Sequence, residues 1–358
     1  MFVLKVHGKP WLGGAAGPYQ TIHCPLPSSK AGTEARTMKV HVFYHDRCFD
    51  GAASAAVFTR LYQDCFDAKA EFLYSGLAHR ASQLFDEGMF NGDENAIVVF
   101  KYSNSPRLTW WFDHHQSAFL SPEDAEHFRL ANGGHKFYDP TYRSCTKFIA
   151  EVGAKKFGFS APDLSDLVYW ADIIDGAMFP DAATAVKVEQ PALRIAMVLE
   201  AGKDNNLSRW LVPLLSKIPL AEIAARPEIA TQLTPIMESH KRALDLIEQH
   251  GHNTNGVVFF DLTGPGVEVY NKFAPYYLFP DCVYSVSICP SSFRTKISVG
   301  SNPWNKTPVL HNLATICERY GGGGHPRVGA ISLEPGRLED ARRIASEIVE
   351  ELQGLPRT

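Results

Sequence analysis

Three side chains, Asp113, His114 and His115, close the apolar run LTWWFDHHQS. A neutral imidazole ligates metal and a protonated one passes a proton near neutral pH, while a neighbouring carboxylate orients the ring or shares the ion. Taken by itself, the triplet also reads as a helix-capping aspartate with one histidine in solvent. A second group lies in FYHDRCFDGAASAA, where His45, Cys48 and Asp50 leave one strand end within a few residues. Imidazole, thiol and carboxylate there suit metal binding, and Gly51 lets an anion approach a helix N-terminus. Asp50 as a plain helix cap is the alternative.

In LVYWADIIDGAMFPDA, Asp172 and Asp175 stand in apolar surroundings. A carboxylate placed so must be paired, capped or metal-bound, because an unpartnered buried charge is costly. Asp175, before Gly176, is the preferred ligand and Asp172 the alternative one; both also fit as helix-terminal caps. The fourth group is RYGGGGHPRVGAISL. Gly321, Gly322, Gly323 and Gly324 can turn successive backbone N–H groups toward an anion, with His325 and Arg327 adding charge-assisted hydrogen bonds to phosphate. A flexible turn explains the glycines equally well. Arg294 and Lys296 in RTKISVGSNPW add positive charge and Trp304 a stacking surface, or simply a solvated strand face.

The elements that must position these groups alternate. MKVHVFYHD reads as a strand, GAASAAVFTRLYQDC as an alanine-rich helix, AEFLYSGL as a strand, HRASQLFDEG as a helix, and AIVVF and RLTWWFD as buried strands. That order implies an α/β fold with a doubly wound, mostly parallel sheet, whose ligands bind beyond the carboxyl ends of the strands. His45, Asp50, Asp113, His114 and His115 all fall at such ends. From about residue 185 to 250 the pattern turns helical; from Gly256 it returns to GVVFFDL, VEVYNK, CVYSVSICP and RTKISVGS, then the helices VLHNLATICERYG and RLEDARRIASEIVEELQG. The expected organisation is a metal-binding domain over 38–185, a helical linker over 186–252 and a smaller α+β domain over 253–358. Residues 1–37, rich in turn formers, are expected to be irregular or disordered, and Met38 directly before the first strand suggests an upstream-start artefact.

A chain of 358 residues suits two domains, and 45% hydrophobic with 21% charged residues is ordinary for a soluble protein. No apolar run approaches the roughly 18 residues of a membrane span. The net charge of -4 excludes a generally basic nucleic-acid coat, so any such contact is local. The seven cysteines lack CxxC spacing, which indicates neither a disulfide framework nor a zinc ribbon and fits a reducing cytoplasm. No secretory-signal pattern opens the chain.

HDRCFDG, FDHHQS, DIIDGA and GGGGHPRVGA, in this order over roughly residues 38 to 352, resemble the DHH family of phosphoesterases with its DHH-associated C-terminal domain. The resemblance implies a two-domain enzyme that holds divalent metal, usually manganese with magnesium as the alternative, and grips a nucleotide or short single-stranded nucleic acid; a homodimer stays open. It implies that His45, Asp50, His114 and Asp175 ligate metal, that His115 faces the scissile phosphate, that Asp113 orients its neighbours, and that the glycine loop with His325 holds phosphate. Relatives in the family include RecJ-type exonucleases, oligoribonucleases that also cleave 3'-phosphoadenosine phosphate, and cyclic-dinucleotide phosphodiesterases. Two positions depart from the pattern. Cys48 stands where the first aspartate of the family's D-x-D lies, and Val99 stands where it places a metal-bridging aspartate. The leading expectation is metal-dependent phosphoester hydrolysis of a short oligonucleotide, dinucleotide or 3'-phosphonucleotide; the rival is a nucleotide-binding member that has lost catalysis.

Overall fold

The computed structural model describes residues 36–78, 85–130, 134–202 and 206–354, and those from Thr37 onward form one compact unit. Nearly all of the segment 1–37, and most of the helix expected over 79–88, lie outside the described residues. Of that helix residues 85–88 are described, and the chain there forms a 3-10 turn, Glu87–Met89, capped by the Asp86 carboxylate.

The first half of the unit is built on β1 (Lys39–His45), α1 (Phe49–Cys65), β2 (Glu71–Leu77), β3 (Glu94–Val98), β4 (Trp110–Asp113), α2 (Pro122–Leu130), β5 (Lys136–Tyr138), α3 (Cys145–Phe157) and α4 (Ser165–Asp175). The five strands are all parallel in the order β2-β1-β3-β4-β5. This is a doubly wound order whose direction of winding reverses between β1 and β3, so a crevice opens beyond the carboxyl ends of those strands. Both faces are buried, which is why the strands read as continuous apolar runs. Val40, Val42, Tyr44, Ala96, Val98, Trp110 and Phe112 point into one core with α1, α3 and α4. The intervening Phe43, Ile97 and Trp111 point to the other, under Phe128 of α2.

Alanine at positions 52, 53, 55 and 56 of α1, all fully buried, lets the helix lie close to the sheet. Its first turn is pressed against the end of β1 so tightly that a Cβ on Gly51 would sit 2.0 Å from the His45 carbonyl oxygen. Any side chain there would push the Asp50 backbone off the strand end.

Helices α5 (Ala182–Lys187), α6 (Pro191–Ala201), α7 (Leu207–Leu215), α8 (Leu220–Ala224) and α9 (Pro227–His250) follow. Ile195, Val198, Leu211, Val212 and Ile223 join the core on the α1 face, so this helical stretch packs as part of that layer. The remainder comprises β6 (His252–Thr254), β7 (Val257–Asp261), α10 (Ala274–Leu278), β8 (Tyr284–Pro290), β9 (Thr295–Ser301), α11 (Leu313–Glu318), β10 (Gly323–His325), β11 (Val328–Leu333) and α12 (Leu338–Leu352). Its mixed sheet runs β10-β11-β9-β8-β7-β6, and α12 buries Ala341, Ile344, Ala345, Ile348 and Leu352 against it.

Three local expectations are corrected. VEVYNK is irregular, because β7 already pairs with β6 and β8 and leaves no edge for the chain that crosses between them. The helix expected over 309–321 shrinks to α11, started by the Asn312 side chain accepting from the amides of Ala314 and Thr315. Strand β3 stops at Val98 because Val99 turns to φ 56°, a left-handed conformation that a β-branched residue adopts only under constraint.

Candidate metal centre

The register brings the first residues together. Tyr44 pairs with Val98 and Val98 with Phe112, so His45, Val99 and Asp113 form the next row at the carboxyl edge. Asp50 reaches the same edge from α1, Asp175 from the end of α4, and His114 and His115 from the turn after β4.

Asp50 is 1% exposed and its carboxylate is held by the start of α3. The Cys145 and Thr146 amides donate to it at 3.0 Å each, and the Thr146 hydroxyl at 2.7 Å. Helix capping is therefore real at Asp50, but the helix capped is α3, ninety-odd residues away, rather than its own. The unpaired N–H groups and dipole of a helix start favour this anion and fix its plane.

His114 carries the least satisfied polar atom of the cluster. Its Nδ1 donates to the Tyr142 carbonyl at 3.0 Å, which leaves the lone pair on Nε2. That nitrogen is buried without a hydrogen-bond partner, 3.4 Å from Asp175 Oδ2 and 3.8 Å from Asp50 Oδ2. Three acceptors facing one another repel unless a proton or a metal ion joins them. Asp50, His114 and Asp175 thus form a donor set of one imidazole and two carboxylates with all ligand atoms within 4.8 Å of each other, which fits a divalent ion. The Tyr142 carbonyl is the outer partner that commonly fixes a ligating histidine.

Asp175 responds to this crowding. Burial, reinforced by Asp50, pushes its carboxyl up to about 8, while His115 and Lys272 draw it back. A folded-state value above the unfolded 3.8 means that the folded chain holds a proton the unfolded chain releases. Its stabilising contribution is complete below pH ~4 and is lost as pH rises toward ~8. Without metal, stability is expected to fall across that window. A divalent ion needs the ionised carboxylate, so the rise in Tm on adding Mn2+ should grow from pH 6 to pH 8.5; a pH-independent rise in differential scanning fluorimetry would contradict this placement.

His115 sits beside the cluster with its Nδ1 2.7 Å from Asp113 Oδ1. That hydrogen bond raises the His115 pKa against the opposing effect of burial. Asp113 is 1% exposed and also accepts from the amides of His114 and His115. Its carboxylate is committed to holding the turn and the ring, as the dyad of an oriented proton donor requires.

Other expected site residues lie elsewhere. Asp172 pairs with Lys147 at 3.1 Å and faces Ser144, so its charge ties α4 to α3 and it is corrected as a ligand. His45 and Cys48 are at the right strand end but belong to neither close group of ligand atoms. Burial and the Asp50 charge push the Cys48 thiol up to about 12, which keeps it neutral.

The glycine run is only in part a loop. Gly323, Gly324 and His325 form edge strand β10 against β11, and the amides of Gly321 and Gly322 are spent on the Glu318 and Cys317 carbonyls. A row of free N–H groups is thereby corrected, although His325 and Arg327 remain exposed beside it. A Cβ on Gly324 would lie 2.2 Å from the Val328 carbonyl oxygen, so the hairpin demands glycine there. Arg294 stands off from this hairpin. His325 pairs with Val328 and Val328 with Gly300, at the far end of β9 from Arg294, roughly 20 Å away at strand spacing. Its guanidinium binds the Ser332 hydroxyl. Trp304 is not free to stack either, since its Nε1 donates to the Phe179 carbonyl and its ring packs on Phe273.

Sequence reading missed Thr146 and Tyr142. Only the first had a signal, the helix-starting Ser144 two residues before it.

No family model matches the sequence, and no curated protein matches it. Among solved structures, a pGpG-specific phosphodiesterase, PggH from Vibrio cholerae, superposes with a TM-score of 0.64 at 16% identity, over 89% of this chain and 100% of that one. The DHH domain of a protein assigned to a ribosomal-protein family gives 0.52 at 12% identity, over 89% of this chain and 88% of that one. The chain therefore has the fold of these DHH-family structures, as its motifs led one to expect.

Proposed function

We propose that this protein is a metal-dependent phosphoesterase acting on nucleotide-type esters: a short oligonucleotide, a dinucleotide or a 3'-phosphonucleotide. The observation that carries the reading is the lone pair of His114, buried without a partner between two carboxylates and next to the His115–Asp113 pair. In this reading Asp50, His114 and Asp175 hold the ion, with His45 and Cys48 at its margin. Manganese is proposed over softer metals because two of the three donors are hard oxygens, with magnesium as the alternative. A bound divalent ion would supply Lewis acidity and bring the pKa of coordinated water down to about 7.

The chain's own groups do the rest. The start of α3 holds the Asp50 carboxylate against rotation, and the Tyr142 carbonyl holds the His114 ring. His115, its pKa raised by the hydrogen bond to Asp113, donates a hydrogen bond or a proton to the phosphoryl group as charge develops on it. The exposed His325 and Arg327 beside the glycine hairpin add substrate contacts, with residues 38–185 as the metal-holding part and 253–358 as the substrate-gripping part. A fold shared with a pGpG-specific phosphodiesterase supports a nucleotide substrate.

The purified chain with Mn2+ is expected to hydrolyse at least one member of a panel of dinucleotides, short oligonucleotides and 3',5'-bisphosphonucleotides, and to stop when EDTA is added. Inactivity on every member with Mn2+ bound would favour the second reading, a nucleotide-binding protein without catalysis, for which Val99 and the neutral Cys48 thiol speak.

A further inference from the structure

Arg143 stands where the start of α3 meets the end of α4, and the residues on either side of it are fixed. Before it, the Tyr142 carbonyl accepts from His114 Nδ1 at 3.0 Å and the Tyr142 hydroxyl donates to Glu151 at 2.6 Å. After it, the Ser144 side chain caps α3 by accepting from the Lys147 amide at 3.3 Å. The stem of Arg143 lies on Gly176, the residue that follows Asp175. A Cβ built on that glycine would meet the Arg143 Cδ at 3.0 Å and its Cβ at 3.1 Å. Its Cδ is therefore within about 4.5 Å of the Gly176 Cα, which is itself about 3.8 Å from the Asp175 Cα. The arginine thus adjoins the carbonyl that orients one proposed ligand and touches the residue next to another.

Asp50 and His114 are 1% and 8% exposed, whereas the Asp175 side chain is 27% exposed. The cluster opens to solvent on the side of Asp175, and Arg143 and Gly176 lie on that side. Lys147, one turn into α3, is spent on Asp172 at 3.1 Å. Arg143 is exposed, and its guanidinium has neither a hydrogen-bond nor an ion-pair partner among the described residues. A guanidinium stays charged throughout the working pH range, and its planar fork of N–H donors fits two oxygens of one phosphate.

We propose that Arg143 is a substrate-binding residue whose guanidinium takes the non-bridging oxygens of a phosphate held at the metal centre. The assignment rests on the phosphoesterase reading and names the group that holds the ester's anion at the mouth of that site. Gly176 makes room for it, since a side chain there would press on the Arg143 stem and would also meet the Asp172 carbonyl oxygen at 2.8 Å.

The test compares the full chain with Arg143→Met, which keeps an unbranched stem on Gly176 without the charge, and Arg143→Lys, which keeps the charge without the fork. The probes are Mn2+ alone, inorganic phosphate in the presence of Mn2+, and whichever ester the wild type hydrolyses. Arg143→Met should weaken phosphate binding and raise KM by about 10–100-fold, the usual worth of a charge-assisted hydrogen bond, with a smaller change in kcat. Arg143→Lys should recover part of both. Tm and Mn2+ affinity should stay at the wild-type values in both variants, because no protein group loses a partner. Unmoved phosphate affinity and KM in Arg143→Met overturn Arg143 and leave the reaction standing, and a fall in its Tm or Mn2+ affinity overturns Arg143 by showing a structural role. Phosphate binding that needs Arg143, in a wild type that binds Mn2+ but hydrolyses no ester, supports Arg143 and overturns the reaction instead. A Mn2+-loaded wild type that neither binds phosphate nor hydrolyses an ester overturns both.

Discussion

Asp175→Asn and Asp50→Asn are expected to abolish metal binding alike and to move stability in opposite directions. Asp175 accepts no hydrogen bond among the described residues, and its partial burial beside Asp50 pushes its carboxyl up to about 8. The amide removes a carboxyl that resists ionisation, so at pH 8 the metal-free variant should melt at or above the wild-type temperature. Asp50 is the acceptor for two amides and a hydroxyl at the start of α3, all fully buried. Asparagine offers one oxygen and turns an NH2 toward those donors. Leaving buried donors unsatisfied costs about 1–3 kcal/mol each, not additively, so a loss on the order of 3 kcal/mol is expected. Both variants should lose Mn2+ affinity by well over ~100-fold, since even an outer hydrogen bond to a ligand is worth about 10–100-fold. Metal titration and denaturant melts at pH 8 decide it; a destabilised Asp175→Asn or a metal-binding Asp50→Asn would remove this cluster as the metal centre.

Val99→Asp is the gain-of-function counterpart. Val99 is 2% exposed, sits in the row between His45 and Asp113, and has φ 56°. Aspartate tolerates that backbone better than valine, which recovers about 1 kcal/mol of strain. Burying another carboxylate among Asp50, Asp113 and Asp175 without a counter-ion costs more than this, on the order of 2 kcal/mol net. The metal-free variant should therefore be less stable, with Mn2+ restoring more than it does in wild type. Ion stoichiometry by mass spectrometry is expected to rise by about one per chain, with faster turnover, because two ions clamp a phosphoryl group better than one. An unchanged stoichiometry and an unchanged Mn2+ response would show that residue 99 does not face the metal.

Much of this was legible in the residues. The alternating pattern of strands and an alanine-rich helix carried the parallel sheet, since strands buried on both faces must be apolar throughout and helices must cross between them. The same pattern put Asp50, His114 and Asp175 at carboxyl ends, because motif residues that directly follow an apolar strand or helix inherit its position. Where the reading faltered, the deciding partner was distant in sequence. Asp172 looked like Asp175 until Lys147 met it. Arg294 and His325 seemed neighbours until the pairing of β11 with β9 and β10 put them beside opposite ends of β9. The glycine run looked free until β11 took up its backbone.

What the sequence by itself determined is therefore the set of groups and the sheet edge that collects them, through periodicity and local turn chemistry that act over a few residues. What only the tertiary structure decided is which of them share charge. Asp50 belongs to the start of α3, and His114 presents Nε2 because the Tyr142 carbonyl takes Nδ1. Hydrogen bonds and Coulomb energy depend on distance in space, and no spacing along the chain encodes that.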